Sequence, residues 1–249
     1  MTLRELLEEL RSQILRDTSS AVGAAASEGA LHSDESLINY IRDAEVKFAI
    51  RTACLRDSRT DSVCLITLVE GQSEYDVSKR IINVFGARYD GRINLGPIGF
   101  TNEITPRANL SPSVPTQYST TPGEPRFFYT DSGSGVIGVV PAPGPEHAGK
   151  TIRLTVTRKP LVPLTKSNLS AEPEIPEEYH LDLLGWAAFL ALSNNDSEIN
   201  GDPANISIIM ARNNVHKKRF NDAVDECKTQ IKNASAGTVS FATPGANWR

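Results

Sequence analysis

The sequence predicts an α+β protein: a four-helix bundle with an inserted small all-β domain, sandwich- or barrel-like, and an extended C-terminal tail. Three observations carry this reading. Both ends of the chain show apolar residues at three- and four-residue spacing, the period of an amphipathic helix. The middle shows short β-branched runs separated by turn residues. The prolines are unevenly placed: none of the 15 precedes Pro97, and 11 fall between Pro97 and Pro163. Helix interiors exclude proline, so this distribution separates the β region from the helices. The expected organisation is a helix pair at 1–57, a β domain at 58–165 with a Pro-rich loop at 96–125, a second helix pair at 166–233, and a tail at 234–249.

The first helix places Leu3, Leu6, Leu7, Leu10 and Ile14 on one face, and Thr2 and Glu5 have capping-box spacing. The small, polar stretch from Ser19 to Gly29 reads as a loop. Ser33 is the expected N-cap of the second helix, with Asp34 and Glu35 at its positive end. Leu37, Ile38, Ile41, Ala44, Phe48 and Ala49 form its stripe.

After Asp57 the period changes. Val63 to Val69 is expected to be a strand, with Ser73 to Val77 returning as its hairpin partner across Glu70-Gly71-Gln72. Ile81 to Phe85 and Ala87 to Tyr89 read as further strand. Asp90-Gly91 is a strong hairpin dipeptide, with Arg92 to Leu95 as the return. Residues Gly96 to Pro125 show little periodicity, and so long a loop is expected to be functional or ordered by a partner. Arg126 to Thr130 and Val136 to Val140 form a second hairpin around DSGSG. Lys150 to Arg158 alternates, with Ile152, Leu154 and Val156 on one side.

The end returns to helix. Pro176 suits a first turn, followed by Glu177 and Glu178. Leu183, Trp186, Ala187 and Leu190 form a stripe. Asp202-Pro203 signals the start of a last helix running to about Lys232. Each helix pair is too small to bury both its stripes, so all four are expected to pack together.

Composition excludes several function classes. With 26 Lys+Arg against 30 Asp+Glu the net charge is −4, unlike a chain that grips DNA as a monomer. At 39% hydrophobic and 22% charged the chain can bury a core. No apolar run approaches the roughly 20 residues of a membrane span. Met1 to Arg16 lacks the apolar stretch of a signal peptide. Three cysteines argue for a reducing compartment and against a disulfide framework. The four N-x-S sequons, at Asn168, Asn195, Asn205 and Asn233, then read as accidental.

No catalytic or metal signature is present. Cys54, Cys64 and Cys227 and the four histidines lack zinc spacing, and Cys54 and Cys227 read as small core residues. Neither Ser132 nor Ser134 has glycine at both minus two and plus two, so DSGSG reads as a turn and not a nucleophile elbow. Phosphate-binding glycine loops are also lacking. The expectation is no catalysis and no cofactor. His216-Lys217-Lys218-Arg219 reads as a solvated face, the alternative being contact with an acidic partner or a DNA backbone. In the tail, Val239, Phe241 and Trp248 have no local core to join. They belong either to a disordered end or to a segment that orders on a neighbour.

The helix pair, Arg56 to Gly91 (RDSRTDSVCLITLVEGQSEYDVSKRIINVFGARYDG), Val139 to Leu164, Pro173 to Leu192 (PEIPEEYHLDLLGWAAFLAL) and Asn194 to Ala204 together resemble tailed-bacteriophage head-to-tail adaptor proteins. The resemblance spans about Leu3 to Ile231. It rests on order and texture and on the IPEEYHLDLLGWAAFLAL helix. It implies a virion protein, assembled in the host bacterial cytoplasm, that forms a ring beneath the portal, usually twelvefold. It further implies partnership with a distal tail, nozzle or head-completion protein, and double-stranded DNA passing through the channel without sequence-specific binding. A C-terminal tail reaching the portal would use Val239, Phe241, Trp248 and Arg249. Side-by-side packing of copies would use Leu184, Trp186, Phe189, Phe220 and Val224, because the Leu181 to Leu192 helix is apolar nearly all round. The competing reading is a carbohydrate- or ligand-binding β module on a helical stalk, using Tyr118, Phe127, Phe128 and Tyr129. A hydrolase built on Ser132 or Ser134 is the third.

Overall fold

The computed structural model describes residues 1–16, 32–98, 122–130, 133, 135–194 and 203–239, with side chains described for 210–234 of the last stretch. It divides into two compact units. The first joins Met1–Leu55 to Pro160–Arg249, and the second is Arg56–Lys159. Among the described residues there are five helices: α1 (Leu3–Glu9), α2 (Asp34–Thr52), α3 (Asp61–Cys64), α4 (His180–Asn194) and α5 (Pro203–Val239).

In the first unit, α1 opens on the expected capping box. Thr2 N–H donates to Glu5 Oε2 (2.9 Å), and Glu5 N–H to Thr2 Oγ1 (3.4 Å). The helix then widens into a π-helical turn, Leu10–Leu15, which ends at Arg16 in the left-handed region. Ser33 caps α2, its Oγ accepting from Ser36 N–H (3.1 Å). A buried ion pair ties these segments: Arg11 reaches Asp34 Oδ1 through Nη2 (2.5 Å) and Nε (3.1 Å), and also donates to His32 O (2.8 Å). Both charges stay paired, which their burial requires.

Helix α4 is covered on two faces by its own chain. Leu184, Ala187, Ala188 and Ala191 join Leu3, Leu6, Leu7 and Leu10 and, from α2, Leu37, Ile38 and Ile41. Leu183 and Trp186 join Ala44 and Phe48 of α2 and Phe220, Ala223, Val224 and Cys227 of α5. The approach of α4 to α5 depends on Gly185. A Cβ there would stand 2.7 Å from His216 O and 3.2 Å from Phe220 N, both backbone atoms of the facing helix. The irregular segment 160–176 is held by carboxylates. Glu174 Oε1 accepts from Leu161 N–H (2.5 Å) and Val162 N–H (2.8 Å), while Glu174 N–H donates to Glu45 Oε1 (2.7 Å).

The second unit carries the strands: β1 (Arg56–Asp57), β2 (Leu65–Thr67), β3 (Glu74–Asp76), β4 (Ile81–Tyr89), β5 (Ile93–Pro97), β6 (Phe127–Tyr129), β7 (Val136–Val140) and β8 (Thr151–Arg158). They form one sheet in the order β1-β8-β4-β5-β6-β7-β3, with β2 also on β8. All pairings are antiparallel except β5 with β6. Asp90 and Gly91 both have positive φ, as a tight hairpin turn requires. Ile152, Leu154 and Val156 of β8 are fully buried, as the alternation predicts.

The structure corrects the expected four-helix bundle with an inserted small sandwich or barrel. Among the described residues the fold is mixed α/β: five helices and a single eight-stranded sheet curled into a half-barrel. The first segment keeps α geometry for only seven residues, and α3 adds a helical turn inside the β region. Pairing of β5 with β4 on one side and β6 on the other joins the strands into one layer, and among the described residues the edge strands β1 and β3 do not pair to close it. The expected hairpin of Val63–Val69 with Ser73–Val77 is also absent. Val63 and Cys64 belong to α3, β2 pairs with β8, and β3 pairs with β7. Tyr75 still ties the two ends of that turn: Val69 N–H donates to its hydroxyl, and the hydroxyl donates to Gln72 O (2.8 Å).

Candidate functional site

The residues read for packing between copies are placed mostly inside the first unit. Leu184, Phe220 and Val224 have no exposed surface, and Trp186 is 9% exposed. Trp186 is also fixed polarly, its Nε1–H donating to Asp43 Oδ2 (2.8 Å) with Lys47 Nζ 3.9 Å above the ring. Phe189 is half-buried, and Lys217 stands 5.1 Å from its ring centre. Large apolar side chains that do reach the surface of this unit include Ile50, Leu181, Met210 and Val215.

The basic run on α5 is largely engaged within its own chain. Arg212 donates to Ile14 O (2.6 Å), Arg219 to Asp182 Oδ1 (2.8 Å), and Lys217 sits over Phe189. Burial, then the Arg212 and Arg219 charges, holds His216 below its ordinary range. Lys218, like His216, makes no side-chain hydrogen bond or ion pair among the described residues. It lines a shallow groove with Asp182, Val215, Asp222 and Glu226, where both signs of charge alternate.

In the second unit, β4 pairs with β8 along its length but with β5 only at Ala87–Tyr89. Beside the remaining stretch, Ile81 to Val84, lies a cleft of about 830 Å³ bounded by Asp76, Lys79, Val136 and Lys159. On the edge strand β1, Asp57 gathers four hydrogen bonds, from Arg59 N–H, Thr60 N–H, the Thr60 hydroxyl and Arg158 Nε (2.7 Å). Burial raises its pKa, but these donors outweigh it and hold the carboxyl well below the usual range. Among the described residues no three His, Cys, Asp or Glu side chains cluster to hold a metal ion.

A family model described as SU10 adaptor protein matches residues 1–242. The chain belongs to the SU10 adaptor family. This is a family of phage head–tail adaptors, so the protein is a structural component of a virion that contacts other head and tail components. No curated protein matches the chain.

Other sequence expectations for this SU10-family adaptor lie outside the described residues. Phe241, Trp248 and Arg249 do so entirely. Val239 is the last residue of α5, and its side chain is not described. Ser132, Ser134, Tyr118 and 99–121 of the Pro-rich loop are likewise outside. Phe128 and Tyr129 are core residues, at 4% and 3% exposure. No described helix is long and apolar enough to cross a membrane. Sequence reasoning missed Gly185, the Glu45–Glu174 contact and the Asp57 cluster. For Asp57 a signal existed: Asp-x-x-Thr is an Asx/ST turn pattern.

Proposed function

We propose that this adaptor forms a ring beneath the portal, extends the DNA channel, and joins the filled head to the tail. The match to a phage adaptor family over nearly the whole chain carries the reading. Twelve copies is the proposed number, in register with a twelvefold portal. Contact between copies would use surface still available on the first unit, including Phe189, Leu181 and Val215. The tail from 234 onward, with Val239, Phe241, Trp248 and Arg249, would seat on the portal, and a distal tail, nozzle or head-completion protein would take the opposite end. A net charge of −4 supports a conduit that lets double-stranded DNA slide, since phosphate contacts would add salt-dependent grip. Assembly would take place in the host cytoplasm.

The test is co-sedimentation of the full chain with its portal, followed by negative-stain imaging. The expected result is a joined double ring. A chain lacking Ser240–Arg249 should stay folded and lose portal association. Failure of the full chain to join the portal would sink the ring proposal. Retained association after truncation would sink only the tail's role.

A further inference from the structure

Strand β4 has an edge that its own sheet leaves open. β8 pairs with it from Ile81 to Tyr89, but β5 pairs with it only from Ala87 to Tyr89. Among the described residues no strand pairs with the other side of Ile81 to Gly86. The gap opens because β5 turns away: Gly96 and Pro97 pair with β6, and Ile98 N–H donates to Phe128 O (2.9 Å). Two register shifts also bend β4, between Ile81 and Asn83 and between Val84 and Gly86. Across the gap, β6 stops pairing with β7 at Tyr129 and Gly138, so Val136 stands beyond its end. The cleft of about 830 Å³ fills this space, with half-buried Ile82, Val84 and Val136 as apolar wall. The 77–80 connection bounds one end, pinned by Val77 N–H to Gly135 O and Ile81 N–H to Ser78 O, both 2.9 Å. Lys79 stands there, and Lys159 is brought beside it by its own N–H, which donates to Arg80 O (2.8 Å). Neither lysine forms an ion pair among the described residues. Asp76 is the one acid of the lining among the described residues.

We propose that this cleft takes up an extended segment of another head or tail component, added antiparallel to β4 as an extra strand with acidic side chains at its C-terminal end. Backbone chemistry sets the class of partner. The open N–H and C=O groups of a strand edge are matched by the backbone of another strand. A helix uses its own backbone groups internally and cannot match them. Direction follows from β5, which runs antiparallel to β4 and parallel to β6. A strand laid in the line of β5 keeps both relations. Its C-terminal end then lies beside Ile81, where Lys79 and Lys159 stand, and that is where acidic side chains belong. Two lysines against Asp76 leave that end positive. One set of the alternating side chains upstream must be apolar, to cover Ile82, Val84 and Val136. Bulges and lysines also keep an edge from pairing with any flat strand it meets, which confines the cleft to a short strand of this charge. Neither the ring nor the tail's seat on the portal is needed for this, since an adaptor contacts other head and tail components in any case.

The experiment adds a dye-labelled, end-blocked peptide, Val-Thr-Val-Thr-Val-Glu-Glu, to the full-length chain. Binding is followed by fluorescence polarisation, and amide exchange by mass spectrometry. The expected result is saturable binding with slower exchange across Ile81 to Gly86. N-methylation of alternate peptide amides, which removes strand hydrogen bonds, should weaken binding about tenfold or more. Exchanging the two terminal Glu for Lys, or moving them to the other end, should weaken it about tenfold. A chain carrying Lys79→Glu and Lys159→Glu should prefer the Lys-ended peptide, a reversal that misfolding cannot produce. No binding of the acidic peptide, or equal binding of the N-methylated one, would overturn the proposal. So would slow exchange throughout 81–86 before any peptide is added, because the chain would then cover its own edge. A dimer in sedimentation that the peptide dissociates would make a second copy the occupant and overturn it as well. The peptide readout needs no portal, so this proposal and the ring reading can each fail without the other.

Discussion

Glu45 is 1% exposed, and only one of its carboxylate oxygens has a hydrogen-bond partner, Glu174 N–H. Burial pushes its pKa from 4.5 up to about 7, against the lowering effect of that hydrogen bond. The folded state therefore binds more protons than the unfolded state between these values, and stability falls as pH rises from about 4.5 to about 7. At about 1.4 kcal/mol per tenfold change in proton affinity, the loss is roughly 3 kcal/mol. Glu45→Gln keeps an acceptor for Glu174 N–H and cannot ionise. It should flatten the difference between urea midpoints at pH 5 and pH 8; an unchanged difference would mean the carboxyl is not the source. Asp57 acts in the opposite sense. Its folded pKa lies below the unfolded value, so its contribution is complete above about 4 and disappears as pH falls further. At neutral pH, Asp57→Ala leaves the Arg158 guanidinium without its carboxylate and should cost about 3 kcal/mol, read as a lower denaturation midpoint. A cost below about 0.5 kcal/mol would show that water replaces the carboxylate.

At the scale of elements, Gly185 makes a test of helix packing. Alanine raises helix propensity by about 1 kcal/mol, which by itself would stabilise α4. Its Cβ would stand 2.7 Å from His216 O and 3.2 Å from Phe220 N, and backbone of a packed helix cannot yield as a flexible side-chain tip can. Overpacking of this kind costs about 1–3 kcal/mol, so Gly185→Ala should destabilise on balance in chemical denaturation; net stabilisation would mean that α5 moves freely. This contact also marks where sequence reading stops. A glycine amid Leu184 and Trp186 carries no sign of which neighbour it admits. What was legible was local: the Ser33 cap, the Thr2–Glu5 box, the Asp90-Gly91 turn, the alternation of β8, and the Phe127–Tyr129 pairing with Val136–Val140. What was not legible was partnership at a distance. Val63–Val69 has the composition of a hairpin strand, but β8, some 85 residues later, takes β2 instead of β3. The apolar circumference of α4 was legible as well, but its reason was not, since two clusters of the same chain cover it.

At the scale of the molecule, the division into Met1–Leu55 with Pro160–Arg249 and Arg56–Lys159 makes a prediction about cooperativity. Each unit has its own buried interior: the leucine and aromatic clusters around α4 in one, and Ile137, Ile152, Leu154 and Val156 across the sheet in the other. Exchange of backbone amides from such interiors requires opening of the unit that holds them. Gly185→Ala should therefore speed hydrogen exchange in α2, α4 and the described part of α5, and leave β4 and β8 near their parent rates. Asp57→Ala should do the reverse, because the carboxylate it removes holds Arg158 at the end of β8 and the Arg59–Thr60 turn. Mass-spectrometric exchange on the two variants reads both outcomes. If each substitution accelerated exchange equally in both units, the chain would unfold as one cooperative body. In the separated case, strain delivered to one unit need not open the other.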